Sequence, residues 1–388
     1  MREIRPLQLG MHWDASVGGA DRYFAGLLSG LRAIGVEHAA GAFGKLPFDV
    51  KESSYFSLGA ANAPLWQRWQ RIRKFVGEEV EGRRPEVRGQ RLEGGRVLAA
   101  HFALYAWPAL NLLRGRRWVF HFHGPWSIES SAEGQSGIAA RAKFLLERSV
   151  YRRASRFVAL SQAFATLLSE RFEVPQAKIA VVPGGVDLER FRPLATRQEL
   201  RRKLGWESDK RIVLAVRRLA KRMGLENLIA AFAEVAGQFP DVVLYIAGKG
   251  AQREVLERAV KEWGLGARVK FLGFVADEDL PAAYAAADLT VVPSQDLEGF
   301  GLVTLESLAC GTPCLVTPVG GLPEAVAGFR EELVTKGSSA SELASALASW
   351  LRESAASVAA CRAYAEEFGW PKIAQRVMEV YAAAEQSR

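Results

Sequence analysis

The sequence predicts an α/β protein of two doubly wound domains, each built on a mostly parallel sheet. The chain has 388 residues, of which 49% are hydrophobic, so it is too long for one ordinary core and apolar enough to fill two. Short apolar runs alternate with helical patterns, which is the order of parallel strands joined by crossover helices. A stretch rich in proline and glycine at 183–193 interrupts the alternation, which then restarts.

The first domain is expected to span 1–190. It opens with an apolar strand, a loop that carries Gly18 and Gly19, and a helix whose apolar residues recur at helical spacing. A second clear helix is predicted at 139–154. Strands are predicted at 7–10, 97–100, 118–121, 157–160 and 179–182.

The second domain is expected to span 191–367. Its strands are predicted at 212–216, 242–247 and 269–272, with helices at 225–238 and 252–263 and three more alternations before residue 350. Ligands of open parallel sheets bind beyond the carboxyl ends of the strands. The loops that follow these strands are therefore expected to share one binding site.

The most informative segment follows the apolar run 289–292 and reads Glu298-Gly-Phe-Gly-Leu-Val-Thr-Leu-Glu306. Gly299 and Gly301 allow the backbone to approach a ligand, and the amides that open the next helix carry partial positive charge that suits phosphate or a sugar oxygen. Glu298 can reach what the turn holds, and Glu306 can accept two hydrogen bonds from a vicinal diol. The alternative is a solvated turn glutamate followed by a helix glutamate that the macrodipole stabilises.

The loops after the other strands of this domain are also suited to a nucleotide diphosphate. Arg218 and a neighbouring cation are expected to neutralise a diphosphate, with the bidentate fork of arginine. Gly248-Lys249-Gly250 offers backbone amides and a cation. Phe274 and Val275 are expected to flank a nucleobase.

With these motifs the chain resembles a retaining nucleotide-sugar glycosyltransferase of glycosyltransferase family 4, whose GT-B fold sets two Rossmann-like domains face to face across a cleft. The resemblance covers nearly the whole chain. The residues that carry it are Gly18-Gly19, His123 in His-Gly-Pro-Trp, Arg217-Arg218-Leu219, Gly248-Lys249-Gly250, Glu298 to Glu306, and Gly320-Gly321-Leu322-Pro323-Glu324.

The resemblance implies a role for each part of the donor site. Glu298 and the amides of Phe300, Gly301 and Leu302 would hold the donor sugar and its phosphates, Glu306 would bind the ribose diol, and Arg218 would neutralise the diphosphate. It also implies transfer of a hexose with retention and no covalent enzyme intermediate. The amphipathic segment 368–388, with Pro371 suited to the first turn of a helix, resembles the terminal helix that returns to the first domain.

One position departs from the family pattern. The family commonly has a lysine before the glycine of this motif, whereas here Met223 precedes Gly224. Lys221 or Arg222 is expected to supply the missing cation, with Arg222 favoured because it lies nearer. The alternative is that both are solvated cations at the start of a helix.

Among the five histidines, His123 is the candidate for the site. It follows the strand at 118–122 and precedes Gly-Pro, which ends the strand at the edge of the domain. His121 projects to the same face but lies deeper, so a hydrogen-bonded core histidine is expected there. His123 is expected to orient the sugar or acceptor and not to serve as an obligatory base.

No metal or cofactor is expected. The sequence has no Asp-x-Asp motif to hold a divalent ion against a diphosphate, so cations and amides are expected to replace the metal and UDP- or GDP-sugar is the co-substrate. Cys310, Cys314 and Cys361 do not form a metal-binding pattern and are interpreted as reduced packing residues. A cytoplasmic protein is expected, because no apolar run spans a membrane and the amino terminus does not resemble a secretion signal.

The positive charge belongs to the first half of the chain. The net charge is +8, and residues 1–190 hold 27 Lys and Arg against 18 Asp and Glu. A helix at 65–76 combines Trp66, Trp69, Ile72 and Phe75 with four cations, so it could lie on an anionic membrane surface near a lipid-linked acceptor. The alternative is that this aromatic stripe packs on the first domain. A glycan or a small molecule is also open as acceptor.

Nucleic-acid binding and two related enzyme activities are the alternatives to glycosyl transfer. A basic nucleic-acid-binding protein is suggested by a pI of about 9.5 and a cluster of arginines, but interspersed glutamates argue against it. A related phosphorylase would need a cofactor lysine, and a sugar-nucleotide epimerase would use no acceptor. The arginines of the cluster are Arg83, Arg84, Arg88, Arg91 and Arg96.

Overall fold

A computed structural model describes residues 4–16, 18–46, 54–80, 97–132, 137–353 and 356–386. It divides the chain into two compact units, residues 1–185 with 370–388 and residues 186–369. Each unit contains one parallel sheet with helices between its strands, which confirms the predicted fold class. The arginine cluster at 83–96 lies outside the described residues.

The first unit has a seven-stranded parallel sheet in the order β3-β2-β1-β4-β5-β6-β7. All five predicted strands are present within two residues of their predicted ends. The two outermost strands on one side were missed, because Ala-Ala-Gly-Ala-Phe shows no alternation and the next strand is only three residues long. The strands are β1 (Leu7–His12), β2 (Ala39–Phe43), β3 (Tyr55–Ser57), β4 (Leu98–Ala100), β5 (Trp118–Phe122), β6 (Arg156–Ala159) and β7 (Ile179–Val181).

Helices of the first unit follow its strands and bury their apolar faces against the sheet. Its core is rich in large aromatic side chains, among them Trp118, Phe122, Phe157 and Phe172, each exposed by 1% or less. The helices are α1 (Gly19–Ala33), α2 (Leu65–Val80), α3 (Ala103–Ala106), α4 (Trp126–Ala132), α5 (Gly137–Tyr151) and α6 (Gln162–Phe172).

The second unit has a five-stranded parallel sheet in the order β10-β9-β8-β11-β12. After β10 the sequence predicted three more alternations, whereas the structure has two strands and an isolated bridge between Val316 and Val334. The strands are β8 (Arg211–Val216), β9 (Val242–Ala247), β10 (Val269–Gly273), β11 (Leu289–Val292) and β12 (Cys314–Val316).

Reciprocal capping boxes fix the starts of two helices of this unit. Thr196 and Glu199 form a reciprocal capping box at α7, and Ser339 and Glu342 form one at α13. The helices are α7 (Arg197–Leu204), α8 (Leu225–Ala236), α9 (Arg253–Glu262), α10 (Leu280–Ala286), α11 (Leu302–Ala309), α12 (Leu322–Val326), α13 (Ala340–Arg352) and α14 (Val358–Ala365).

The last helix, α15 (Trp370–Gln386), belongs to the first unit, where it packs on α1. Pro371 lies in its first turn, as expected. Glycines make room for it: a Cβ on Gly26 would lie 2.0 Å from the Trp370 ring, and one on Gly30 would lie 2.4 Å from the Trp370 carbonyl oxygen. The helix therefore joins the amino-terminal part of the chain through contacts that a larger side chain would prevent.

Strand order locates the ligand-binding edge of each sheet. In the second unit the chain runs from β8 outward to β10 and then returns to place β11 on the other side of β8. In the first unit the same reversal separates β1 from β4. Ligands in doubly wound sheets bind beyond the carboxyl ends of the strands at such a reversal.

The three cysteines are buried and unpaired as thiols. Burial raises the pKa of Cys314 to about 12 and that of Cys361 to about 11, and it raises the pKa of Cys310 further. Protonated, buried thiols behave as small apolar side chains, in agreement with their interpretation as packing residues.

The helices that the structure describes include none that combines the length and the apolar character needed to cross a bilayer.

Candidate functional site

The centre of the candidate site in the second unit is a buried ion pair at the reversal between β8 and β11. Arg217 follows β8, and its Nη2 pairs with Oε1 of Glu298, which lies in the loop after β11. Their side chains are only 7% and 10% exposed. Arg217 Nη2 also donates to Oγ of Ser294 at 2.7 Å, and that hydroxyl donates to Glu298 Oε1 at 3.0 Å.

A second arginine, Arg222, lies near the same carboxylate oxygen. Arg222 Nη1 is 3.9 Å from Glu298 Oε1 and donates to the carbonyl oxygen of Leu297 at 3.1 Å. Lys221, the other candidate for the missing cation, is exposed. Of the two, Arg222 is the residue that the structure brings to Glu298.

The sequence singled out Arg218 as the cation after β8, whereas Arg217 is the one that pairs with Glu298. Arg218 is exposed at the carboxyl end of the strand. Both arginines belong to the Arg217-Arg218-Leu219 motif, and the sequence of two adjacent arginines does not indicate which side chain turns inward. Ser294 was missed altogether, because a serine four residues before a glutamate carries no distinctive signal.

Glycines in the neighbouring loops allow backbone to touch backbone. A Cβ on Gly248 would lie 1.8 Å from the carbonyl oxygen of Arg217, and one on Gly250 would lie 2.2 Å from that of Leu219. Both glycines have positive φ, at 146° and 159°. The amide of Gly248 donates to the carbonyl oxygen of Gly273 at 2.6 Å. These contacts lock together the loops after β8, β9 and β10, beside Arg217.

The glycine turn after Glu298 leads directly into a helix. Gly301, with φ of 78°, is the residue before α11, and no side chain caps that end. Gly320 has φ of 56° and packs on the Glu298 backbone, whose carbonyl oxygen accepts a hydrogen bond from the Gly321 amide at 2.9 Å. The Phe300 ring is buried, whereas Gly301 and Leu302 are partly exposed. The predicted anion-binding turn is thus braced against the Gly320-Gly321 motif.

Glu306 lies within α11 and is 2% exposed. Its Oε2 accepts a hydrogen bond from the Tyr284 hydroxyl at 3.0 Å. Tyr284 comes from α10 and is itself fully buried. The sequence did not predict this partner, which holds the carboxylate of Glu306 in a fixed orientation.

The predicted base-binding residues form the exposed margin of the same loops. Phe274 follows β10 and is 57% exposed, and the ammonium of Lys249 lies 5.1 Å from the centre of its ring. Val275 is half-buried. An exposed, flat aromatic ring beside a cation is a surface on which a planar base can stack.

In the first unit the predicted residues lie at the carboxyl ends of β1 and β5. Gly18 and Gly19 are exposed at the start of α1, and no atom lies within 4 Å of a Cβ built on Gly19. Asp21 in the first turn of α1 accepts the backbone amide of His12 at 3.0 Å. His123 follows β5 and is half-buried.

His123 is one member of a group of three histidines that the structure brings together. His123 Nε2 is 3.0 Å from Nδ1 of His101, whose Nε2 is 2.8 Å from Oε1 of Gln8. His121 Nε2 is 2.7 Å from the hydroxyl of Tyr381 on α15. His121 is fully buried and hydrogen-bonded, as the sequence predicted.

Desolvation keeps these imidazoles neutral. It lowers the pKa of His123 to about 3, and it lowers the pKa values of His101 and His121 well below their ordinary range, with the neighbouring histidines adding a smaller effect. The first unit therefore presents a neutral imidazole at the end of β5, in contrast to the charged groups of the second unit.

The structure shows where the apolar residues of α2 lie, for which the sequence left a membrane surface or packing on the first domain open. Ile72, Phe75 and Val76 are buried in the core of the first unit, and Trp69 donates from its indole to the carbonyl oxygen of Leu104. Trp66 is 58% exposed. Of the four stripe positions, Ile72 and Phe75 are therefore core and the partly buried Trp69 packs against that core, as the packing alternative predicted.

Family models match both halves of the chain. A model described as Glycosyltransferase Family 4 matches residues 17–190, and a model described as Glycosyl transferases group 1 matches residues 196–368. Together the two models include all of the candidate site residues named above except Gln8, His12 and Tyr381.

Two curated proteins of similar sequence are a synthase and a glycosyltransferase. Mannosylfructose-phosphate synthase of Agrobacterium fabrum is 37% identical over 194 residues, 47% of this chain and 42% of that protein. D-inositol 3-phosphate glycosyltransferase of Streptomyces avermitilis is 32% identical over 293 residues, 71% of this chain and 63% of that protein. The chain thus spans less than two thirds of the length of these curated relatives.

A solved structure covers nearly the whole chain. Sucrose-phosphate synthase of Thermosynechococcus elongatus has 26% sequence identity and a TM-score of 0.73, with 98% of both chains covered.

Removal of Arg217 should destabilise the second unit. In Arg217→Met, Glu298 would keep a buried charge with only the more distant Arg222 beside it, and breaking a buried pair in this way costs about 3 kcal/mol or more. The double variant Arg217→Met/Glu298→Gln should regain most of that loss. Denaturant unfolding measures both.

The matched control is Arg211→Met in the same unit, whose ion pair with Asp241 is 34% and 46% exposed. Loss of a pair in contact with solvent should cost only about 1 kcal/mol. A cost for Arg217→Met no larger than for Arg211→Met, or a double variant no more stable than the single one, would contradict the buried pair.

The three clustered histidines of the first unit, His101, His121 and His123, should make its stability depend on pH. Their pKa values are lowered on folding, so below about pH 6.5 the unfolded chain binds protons that the folded chain does not. Stability should therefore be complete above that pH and fall as the solution is acidified, by about 1.4 kcal/mol per pH unit for each histidine. Thermal unfolding at a series of pH values, with the proton uptake it implies, measures this.

His101→Asn removes one of the three imidazoles and should lower that proton uptake by about one. Equal melting temperatures on both sides of the ordinary histidine pKa would show that these histidines are not held neutral.

Proposed function

We propose that this chain, which belongs to glycosyltransferase family 4, transfers a hexose from a nucleotide diphosphate sugar to an acceptor hydroxyl with retention of configuration. The family models confirm the resemblance drawn from the motifs. The observation that carries the proposal is the buried Glu298, with Arg217 and Arg222 near one of its carboxylate oxygens and a helix start without a side-chain cap close by in sequence. Such a site combines an acceptor for sugar hydroxyls with donors for phosphate.

The donor proposal assigns different parts of the site to different parts of the ligand. The exposed cations Arg218 and Lys221 and the amides that open α11 would neutralise the diphosphate. Phe274 would stack on the base. Glu306, held by Tyr284, would accept hydrogen bonds from the ribose diol, which every nucleotide sugar shares.

The chemistry requires stabilisation of the leaving group. Cleavage of the bond between the anomeric carbon and the phosphate places negative charge on the diphosphate, and preorganised cations and amides lower the barrier most when they act on that charge. Glu298 cannot supply that stabilisation, but its fixed carboxylate can orient the sugar. His123, neutral near physiological pH, would orient a hydroxyl and would not act as an obligatory base.

The acceptor proposal follows from charge and from the relatives. Residues 1–190 carry 27 Lys and Arg against 18 Asp and Glu, which suits an acceptor that carries phosphate. The relatives include a mannosylfructose-phosphate synthase and a D-inositol 3-phosphate glycosyltransferase. We propose a phosphorylated or lipid-linked polyol or glycan as the acceptor, offered to the first unit.

We further propose that catalysis needs no divalent ion, because the arginines of the second unit supply the positive charge that a metal would otherwise provide. Initial rates with excess EDTA should equal those without it. Loss of activity with the chelator, restored by magnesium, would refute this proposal.

The donor assignment is tested with a panel of UDP- and GDP-hexoses, in which a donor should raise the melting temperature and be transferred or slowly hydrolysed. Glu306→Gln should weaken every donor on the order of 10- to 100-fold, since hydrogen bonds to a charged carboxylate are among the stronger ones. Calorimetry gives the affinities.

Removal of the ribose 2′-hydroxyl from the nucleotide should cost wild type much of the same affinity and cost Glu306→Gln little more, since the two changes delete one contact. The control is Glu234→Gln on the exposed surface of α8. Full additivity of the two changes would remove Glu306 from the ribose site, and the absence of any stabilising nucleotide sugar would overturn the proposed function.

A further inference from the structure

We infer that Gln8, His101 and Tyr381 form a hydrogen-bond chain that fixes the tautomer of His123, so that its Nδ1 is a bare acceptor for a substrate hydroxyl. The members of the chain are far apart in sequence. Gln8 lies on β1, His101 follows β4, and Tyr381 lies on α15. The role of a substrate hydroxyl rests on the proposed function, whereas the hydrogen-bond chain and the tautomer of His123 do not.

The contacts are continuous and short. His123 Nε2 lies 3.0 Å from His101 Nδ1, and the two ring planes are inclined by only 14°, which suits a hydrogen bond in the plane of both rings. His101 Nε2 lies 2.8 Å from Oε1 of Gln8, and Nε2 of Gln8 lies 2.8 Å from the Tyr381 hydroxyl. Gln8 and Tyr381 are fully buried and His101 is 3% exposed.

The carboxamide of Gln8 sets the direction of every proton on the path to His123. Its oxygen can only accept, so His101 must carry its proton on Nε2. A neutral His101 then has a bare Nδ1, which can only accept from Nε2–H of His123. A neutral His123 with its proton on Nε2 has a lone pair on Nδ1.

The other end of the chain fixes the orientation of the amide. Nε2 of Gln8 donates to the Tyr381 oxygen, so the Tyr381 proton is free to go to Nε2 of His121, 2.7 Å away. His121 then carries its proton on Nδ1, 3.3 Å from the hydroxyl of Tyr23. Each hydrogen bond along this path then has one donor and one acceptor, and leaving a buried polar group of the path unpaired would cost free energy.

The free end of the chain is the Nδ1 atom of His123. This atom is buried and has no hydrogen-bond partner among the described residues. A buried polar atom without a partner costs free energy, which a ligand recovers by supplying the complementary group. Because Nδ1 offers a lone pair, the complementary group is an O–H of a sugar or an acceptor and not a phosphate oxygen.

The chain therefore makes His101 and Gln8 positioning residues. If Gln8 lost its acceptor oxygen, His101 could carry its proton on Nδ1 and donate to His123, whose own proton would then move to Nδ1. His123 would become a donor at the atom where a hydroxyl must donate. A change on β1 would thus alter the chemistry of a ring that Gln8 does not contact.

Nuclear magnetic resonance of protein labelled with 15N-histidine measures the tautomer directly. In the wild type, Nδ1 of His123 should show the shift of an unprotonated nitrogen and Nε2 that of a protonated one. Gln8→Leu and His101→Leu should each give His123 a protonated Nδ1 fraction, whereas His101→Asn, which places an amide oxygen near the position of the His101 Nδ1, should restore the wild-type pattern. His123→Gln assigns the signals.

The same variants test whether the hydrogen-bond chain contributes to catalysis. Loss of one correctly directed hydrogen bond should lower kcat/KM about tenfold in Gln8→Leu and His101→Leu, with recovery in His101→Asn. His38→Leu is the matched control, because His38 is another buried histidine of this unit and bonds to Tyr55, outside the chain. Its activity should equal that of wild type. Should His101→Leu fail to fold, Gln8→Leu and His101→Asn provide the same comparison.

Two results would overturn the inference: a wild-type His123 protonated on Nδ1, or a His123 tautomer in Gln8→Leu that is the same as in the wild type. Wild-type kcat/KM in Gln8→Leu despite a changed tautomer would overturn the acceptor role. If His123 has the predicted tautomer but the protein transfers sugar from no nucleotide sugar, the inference about the hydrogen-bond chain holds and the proposed function is refuted.

Discussion

The second unit is organised around the buried carboxylate of Glu298, which pairs with Arg217 and lies 3.9 Å from Arg222. Burial of Glu298 alone would be costly, and the guanidinium of Arg217 with the nearby Arg222 offsets that cost. The loops around it are then constrained: glycines at 248 and 250 let neighbouring loops close on Arg217 and Leu219, and Gly320 closes on Glu298. The ion pair and the glycine contacts together fix where the first turn of α11 presents its amides.

The first unit solves the same problem of burying polar groups with neutral ones. His101, His121 and His123 are desolvated, which lowers their pKa values, and hydrogen bonds connect Gln8 and Tyr381 to this histidine cluster. A network of neutral groups on or just after β1, β4 and β5 can be buried without counterions. It requires that each of its hydrogen bonds joins one donor to one acceptor. The buried Arg217–Glu298 ion pair thus lies in the second unit, and the directional network of Gln8, Tyr381 and the clustered imidazoles lies in the first.

The carboxyl-terminal helix links both ends of the chain to this network. Trp370 packs where Gly26, Gly30 and Gly185 leave room, and Tyr381 reaches Gln8 and His121. The same helix therefore packs on α1 and places the Tyr381 hydroxyl against buried side chains of the sheet. Loss of that helix would leave Gln8 without the partner that orients its amide.

The sequence by itself determined the fold class, nine of the twelve strands in the described residues or their apolar cores, and the segments that meet at the strand reversal, because apolar periodicity and glycine turns are local properties. It predicted β12 only as one of three alternations without bounds. It did not find β2 and β3, whose short, small-residue runs carry no period. Only the tertiary structure decided that Arg217 and not Arg218 pairs with Glu298, that Tyr284 holds Glu306, and that Gln8 and Tyr381 reach the histidines. Each of these is a contact between residues distant in sequence, and side-chain direction at the end of a strand depends on neighbouring strands that the local sequence does not contain.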